Sequence, residues 1–307
     1  MSKRGTIRGV TGGLVPPAPP LPPPDPATRR NPHRRGRIAV AGVYAGVAAL
    51  VLLVGFPFYW MATTSLKVFR EISIDRTLIP RQITYDNYVD LFEQTSILMH
   101  MWNTALVSVI ATGLTLATAT AAAYAMTRFT TRAGEWIARA SLYAYMVPSI
   151  VLIIPFYLGL REAGLINSRS GLILSYLSFT LPLGIWMMRA CFEAIPRTME
   201  DAAIVDGANR FQAFALIALP QALPGLVSTA IFVFILCWSE YLYPIVLVSS
   251  DHLRTITVTL DSLTGGGQNI KFGLLMAASV VATIPILLIF LFLQKYLVRG
   301  FAAGGYE

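Results

Sequence analysis

The sequence predicts an all-α polytopic membrane protein with six transmembrane helices, and three observations carry that prediction. Of its 307 residues 55% are hydrophobic and only 13% charged, which is more apolar surface than a water-soluble domain hides. Six intervals are free of charge: 38–66, 94–127, 140–160, 170–188, 211–239 and 272–294. Each is long enough, at about 20 residues or more, for one helix to cross a bilayer core that disfavours charge. The ten-residue alternation of transmembrane strands is missing.

Residues 1–37 precede the first interval and form a basic, Pro-rich tail. Within it the run "VPPAPPLPPPDP" reads as an extended spacer, because proline fixes φ and removes the donor that a helix needs. The tail lacks the apolar stretch of a cleaved signal peptide, so interval 38–66 is expected to stay as the first span of a membrane domain covering 38–307. Six spans place both termini on one side. That side collects sixteen of the 24 Lys and Arg residues, including Arg128, Arg132, Arg139, Arg197 and Arg210, and basic residues resist translocation. Both termini are therefore expected in the cytoplasm, and the net charge of +8 reflects orientation and not a nucleic-acid partner.

The connectors follow from this topology. On the outer side, 67–93 contains "DNYVDLF", whose apolar spacing suits a short surface helix. A second outer connector, 249–273, is long and ends in a glycine tip, Gly265, Gly266 and Gly267, followed by Gln268. Between spans four and five lies "PRTMEDAAIVDGANRFQAFALIALP". Pro196 opens a helix over about 198–205, with Thr198, Glu200 and Asp201 near its positive end. Asp206 and Gly207 close it, and a second helix starts at Asn209. Ala202 and Ala203 leave a flat face on which another backbone can pack closely. On these residues alone, a re-entry elbow and a docking surface fit equally well. Cys191, Cys237, His33, His100 and His252 show neither disulfide nor metal-ligand spacing, so they read as packing or solvated residues.

The spacing from Asp201-Ala202-Ala203 through Gly207 to Ile217 and Leu219-Pro220 resembles the "EAA" loop of inner-membrane permeases in binding-protein-dependent ABC importers. Residues 192–226, "FILCWSEYLYP" and the final "KYLVRGFAAGGYE" are similar to the carbohydrate-uptake, maltose-permease-like branch. The resemblance implies a type I ABC importer permease fold in the bacterial inner membrane. It implies that 198–208 is a coupling helix docking on a cytoplasmic ATPase through Glu200, Asp201, Ala202, Ala203 and Gly207. The family's usual Glu is Asp201 here, so the resemblance leaves open which of Glu200 and Asp201 makes the decisive contact. It also implies a second homologous permease, two ATPase subunits and an extracytoplasmic solute-binding protein, which Gly265 to Gln268 would meet. No phosphate-loop motif occurs in the chain, so ATP and Mg are expected in the partner ATPase and no cofactor on this subunit.

Polar groups within apolar runs face a bundle interior or a cavity. Glu240, flanked by Trp238, Tyr241 and Tyr243, is the first candidate for the substrate path, since aromatic faces suit sugar rings. Asn103, Tyr145, Tyr157 and Trp186 are weaker candidates. The expected function is ATP-driven import of a sugar or sugar derivative by alternating access. An ion-gradient-driven transporter is the alternative, and it would favour more ionisable groups in the spans than Glu240 alone. No nucleophile with a base is visible, so the chain does not read as an enzyme.

Overall fold

The computed structural model describes residues 32–75, 77–129, 132–265 and 271–303, which are almost entirely helical. The Pro-rich run and Gly266, Gly267 and Gln268 lie outside the described residues. In chain order the helices are α1 (Pro32–Ser65), α2 (Asp86–Gln94), α3 (Ile97–Arg128), α4 (Arg132–Met146), α5 (Ser149–Glu162) and α6 (Arg169–Glu193). They continue with α7 (Arg197–Val205), α8 (Arg210–Gln212), α9 (Leu219–Trp238), α10 (Leu242–Leu247), α11 (Ile256–Ser262) and α12 (Phe272–Ala303). One π-helical turn, Ala213–Ala218, joins α8 to α9 just ahead of Pro220, which has no N–H for the ladder.

The chain divides inside α1 into Met1–Phe56 and Pro57–Glu307. In the first unit, Val43, Leu52 and Leu53 of α1 are exposed, the all-round greasiness of a helix bathed in hydrocarbon. In the second unit α3 is the central post, packing against α6 and α9. Its inward stripe is built of small and hydroxylated residues, among them Ala111, Thr115, Ala119 and Ala123, all fully buried. Apolar attraction between helices is weak in lipid, so close approach and hydrogen bonds must hold them. The Thr115 and Thr180 hydroxyls meet at 2.7 Å. Beside them Gly184 of α6 lies so near α3 that a Cβ there would sit 2.9 Å from Thr115 Cγ2. Three apolar clusters surround the post: one with α5, α6 and α10, one uniting α9, α11 and α12, and one at the α7 end around Phe192.

Among the described residues five helical stretches are long and apolar enough to cross a membrane, and α4 with α5, bent by 103° at the break between them, makes a sixth where the pair counts as one span. Interval 140–160 is thus not one helix. The break falls at Val147-Pro148, because proline excludes the helical conformation for the residue before it and cannot donate to the turn behind. The expected surface helix in 67–93 is present as α2.

Ahead of α2, the connector is knotted around two buried charges. Glu71 accepts the backbone N–H of Arg81 and of Gln82, both at 2.9 Å, and the Thr77 hydroxyl at 3.2 Å. Lys67 donates to the Thr77 carbonyl and lies 4.5 Å from the centre of the Trp60 ring. Burial lowers the Lys67 pKa, opposed by the Glu71 charge. The Arg81 amide, aided by Gln82 and Thr77, holds the Glu71 carboxyl below its ordinary range. A depressed carboxylate stabilises the fold fully above its unfolded pKa, and that contribution fades as pH falls through the folded value. Hydrogen exchange of residues 77–83, corrected for intrinsic rates, is expected to stay slow at neutral pH and to rise on acidification below the usual carboxylate range. Glu71→Gln should already exchange fast at neutral pH and show no acid step.

Candidate functional site

Pro196 supplies an extended N-cap, φ −61° and ψ 130°, from which α7 departs. At the other end Gly207 takes φ 95°, open to glycine and strained for other residues. There the Ala208 N–H returns to Ala203 O at 2.9 Å and the Gly207 N–H to Ile204 O at 3.1 Å, the paired bonds of a Schellman end. Asn209 then caps α8 reciprocally with Gln212. The expected helix, glycine break and second helix are all present.

What orients α7 is a buried ion pair. Glu200 turns inward: Arg128 Nε and Nη2 both reach its Oε1 at 2.7 Å, and the Tyr124 hydroxyl donates to Oε2 at 2.7 Å. The two charged side chains are only 7% and 6% exposed. The same guanidinium donates to the carbonyls of Phe192 and Ile195, each at 3.2 Å, where α6 ends. Arg197 donates to the Thr127 carbonyl, and Arg210 lies over the Phe129 ring at 5.3 Å. Removing one partner of such a pair strands the other charge away from water, at a cost of about 3–5 kcal/mol. Glu200 is therefore spent inside this chain, and the carboxylate that α7 presents outward is Asp201. Ala202 and Gly207 are exposed beside it and Ala203 is half-buried. Met199, Ile204 and Val205 are exposed as well, Val205 at 85%, so α7 leaves apolar side chains uncovered at several points around its circumference.

The substrate-path candidates separate into two groups. Glu240 and Tyr145 meet in a cavity of about 340 Å³ at the α4–α5 bend, with Ser149, Ser178 and Phe179. Glu240 Oε1 also accepts the Leu242 and Tyr243 N–H groups at 2.8 and 3.2 Å and so starts α10. Trp186 joins Tyr145 and Pro182 around a neighbouring hollow of about 220 Å³. Tyr243 is fully buried beneath the first cavity, stacked on Phe179 with its hydroxyl 3.2 Å from Ser178. Trp238 belongs to the core against α12, its indole N–H on Ala282 O at 3.2 Å. Tyr241 points to Asp261 of α11, hydroxyl to Oδ2 at 3.0 Å, and Tyr157 packs half-buried on the core.

Asn103 is a structural pin. Its amide nitrogen donates to the carbonyls of His252 and Arg254, and its oxygen accepts from Arg169, at 2.8, 3.1 and 2.8 Å respectively. His100 works alongside it, Nδ1 at 2.7 Å from Thr259 Oγ1 and Nε2 at 2.9 Å from Asp251 O. The first half of connector 249–273 is thus folded onto α3, and Gly265, with φ 59°, stands at its exposed end. Sequence reading missed Tyr124, Arg128, Arg169 and the role of His100. Their one visible signal was polarity at the very ends of apolar intervals.

Residues 113–303 match the model of the family described as binding-protein-dependent transport system inner membrane component. This chain belongs to that family. The permease is 32% identical over 268 residues to the inner membrane ABC transporter permease protein YcjP of Escherichia coli, covering 86% of this chain and 95% of that protein. It is 34% identical to the diacetylchitobiose uptake system permease protein DasC of Streptomyces coelicolor, with 85% and 96% covered. The trehalose transport system permease protein SugB of Mycobacterium tuberculosis is 35% identical, with 82% and 93% covered. In fold the permease is similar to a chain of a bacterial ABC transporter involved in alginate import, with TM-score 0.73, 22% identity, and 87% and 98% covered. It is a multi-pass inner-membrane transport subunit of an ABC importer and not an enzyme. The pin gives a direct test: Asn103→Ala should cost about 1–3 kcal/mol by stranding buried partners. Limited trypsinolysis should then cut at Arg254 at least tenfold faster.

Proposed function

We propose that this permease carries a sugar or sugar derivative inward across the membrane by alternating access, with α7 seated on a separate cytoplasmic ATPase. The observation that carries the reading is the reversal of α7: its first carboxylate, Glu200, is locked inside, while Asp201, Ala202 and Val205 face out. Such a face suits a cleft that takes in small side chains and pairs Asp201 with a cation. The basic residues Arg128, Arg132, Arg139, Arg197 and Arg210 cluster at this end, which supports a cytoplasmic position for it and for both termini.

The sugar class is supported by relatives named for diacetylchitobiose and trehalose. The cavity at the α4–α5 bend offers what a hydroxylated cargo needs: the Tyr145 ring, serine hydroxyls and the free lone pairs of Glu240. The cavity lies between the α4–α5 bend, α6 and the end of α9, so a shift of α6 against the bend changes its shape. ATP and Mg belong to two ATPase subunits, and a homologous permease completes the pathway. The pinned segment 249–262, with Gly265 at its end, offers a rigid base for contact with a solute-binding protein. A periplasmic protein of that kind occurs in the related alginate transporter complex.

The test is reconstituted uptake of radiolabelled trehalose and diacetylchitobiose in proteoliposomes. Transport is expected only with ATP, both ATPases, the partner permease and the binding protein, and uptake by this chain on a proton or sodium gradient would refute the proposal. Asp201→Arg and Gly207→Pro should each lower uptake at least tenfold while membrane insertion is unchanged. Proline cannot reach the φ of 95° that the end of α7 requires.

A further inference from the structure

The Glu200 pair does more than settle which carboxylate faces out. At the α7 end, α3 receives contacts from every element of the segment 192–214. Arg128 holds Glu200 of α7, the Phe192 carbonyl at the end of α6 and the Ile195 carbonyl just beyond it. Tyr124 holds Glu200 and packs its ring on Phe192 at 5.5 Å and on Phe214 at 4.6 Å. Thr127 takes Arg197, and Phe129 takes Arg210. A packed chain of this kind has few alternative arrangements, so it moves as one piece.

We propose that Arg128, with Tyr124 and Glu200, is a coupling clamp that makes α7 and the ends of α3 and α6 a single lever. These are positioning residues: their side chains meet one another on the inward side of α7, away from Asp201 and Ala202. The lever acts along α3, a helix of 32 residues and about 48 Å. The far end of α3 carries His100 and Asn103, which grip the segment 251–259. A displacement of α7 is thereby delivered to both ends of the pathway. This inference rests on the proposed docking of α7, and its loss has a distinct signature, since a loosened clamp leaves the outward face of α7 intact.

The experiment uses the whole importer purified with its partner subunits and reconstituted in proteoliposomes. ATP hydrolysis and cargo uptake are measured together, for Arg128→Met, Glu200→Gln and the conservative variant Arg128→Lys. Complexes that assemble should keep ATP hydrolysis within about threefold of wild type while cargo moved per ATP falls at least fivefold. Arg128→Lys, which keeps a cation facing Glu200 and a donor for the Phe192 and Ile195 carbonyls, should recover at least half of the loss seen in Arg128→Met. Spin labels at Asp206, the exposed residue that ends α7, and at Gly113 of α3 give a second measurement that does not depend on Arg128→Met folding. The distance between them should be the same with and without ATP in the wild type, and should spread or shift with ATP in Glu200→Gln. Cargo per ATP within twofold of wild type in Glu200→Gln, or a label distance that changes with ATP in the wild type, overturns the clamp. Asp201→Arg serves as the control: if it also transports normally, the docking of α7 itself is refuted, whereas normal transport in Glu200→Gln alone refutes only the clamp.

Discussion

Much of this structure depends on one buried charge pair, Arg128 with Glu200. A charge taken out of water is tolerable only when matched and fully hydrogen-bonded, and here one guanidinium meets a carboxylate and two helix-end carbonyls at once. The consequence is geometric. Because Glu200 must face α3, the remaining residues of a nine-residue helix are oriented by the helical period: Asp201, Ala202 and Val205 have to face away. The face proposed for docking is thus dictated by the anchor behind it.

Magnitudes support this arrangement. Driving a two-state bundle from 1:99 to 99:1 takes about 5.5 kcal/mol of differential binding. Exposed ion pairs are each worth about 0–1 kcal/mol, so a helix held only by such contacts would yield before the bundle did. The penalty for parting a buried pair, about 3–5 kcal/mol, is of the same order as the load, and the aromatic packing of Tyr124, Phe192 and Phe214 adds to it.

The spans and their order were legible in the sequence because the bilayer filters charge out of long intervals, and that filter is one-dimensional. Both ends of α7 were legible too, since Pro196 and Gly207 act through their own backbone conformations. The bend in the third span was overlooked although Pro148 marks it, because apolar composition is the same in a straight helix and a broken one. The direction of Glu200 was not legible at all: its partner is 72 positions away, and nothing local distinguishes it from Asp201. Asn103 and Trp238 illustrate the same gap. A polar or aromatic residue in an apolar run is obliged to find a partner, but the run does not say whether that partner is a cargo or the protein's own carbonyls.

The exposed apolar side chains of α7 have a bearing on how such a subunit is made. Met199, Ile204 and Val205 lie outside the long apolar spans, on a helix that also carries Arg197 and Asp201, so water and not lipid is their default surrounding. Leaving them uncovered costs about 25 cal/mol for every Å² of apolar surface. A copy synthesised ahead of its companions carries an adhesive spot in the aqueous compartment, where self-association and proteolysis compete with assembly. Under the proposed docking, production of this chain without its partners leaves these side chains uncovered and favours aggregates over membrane-inserted protein.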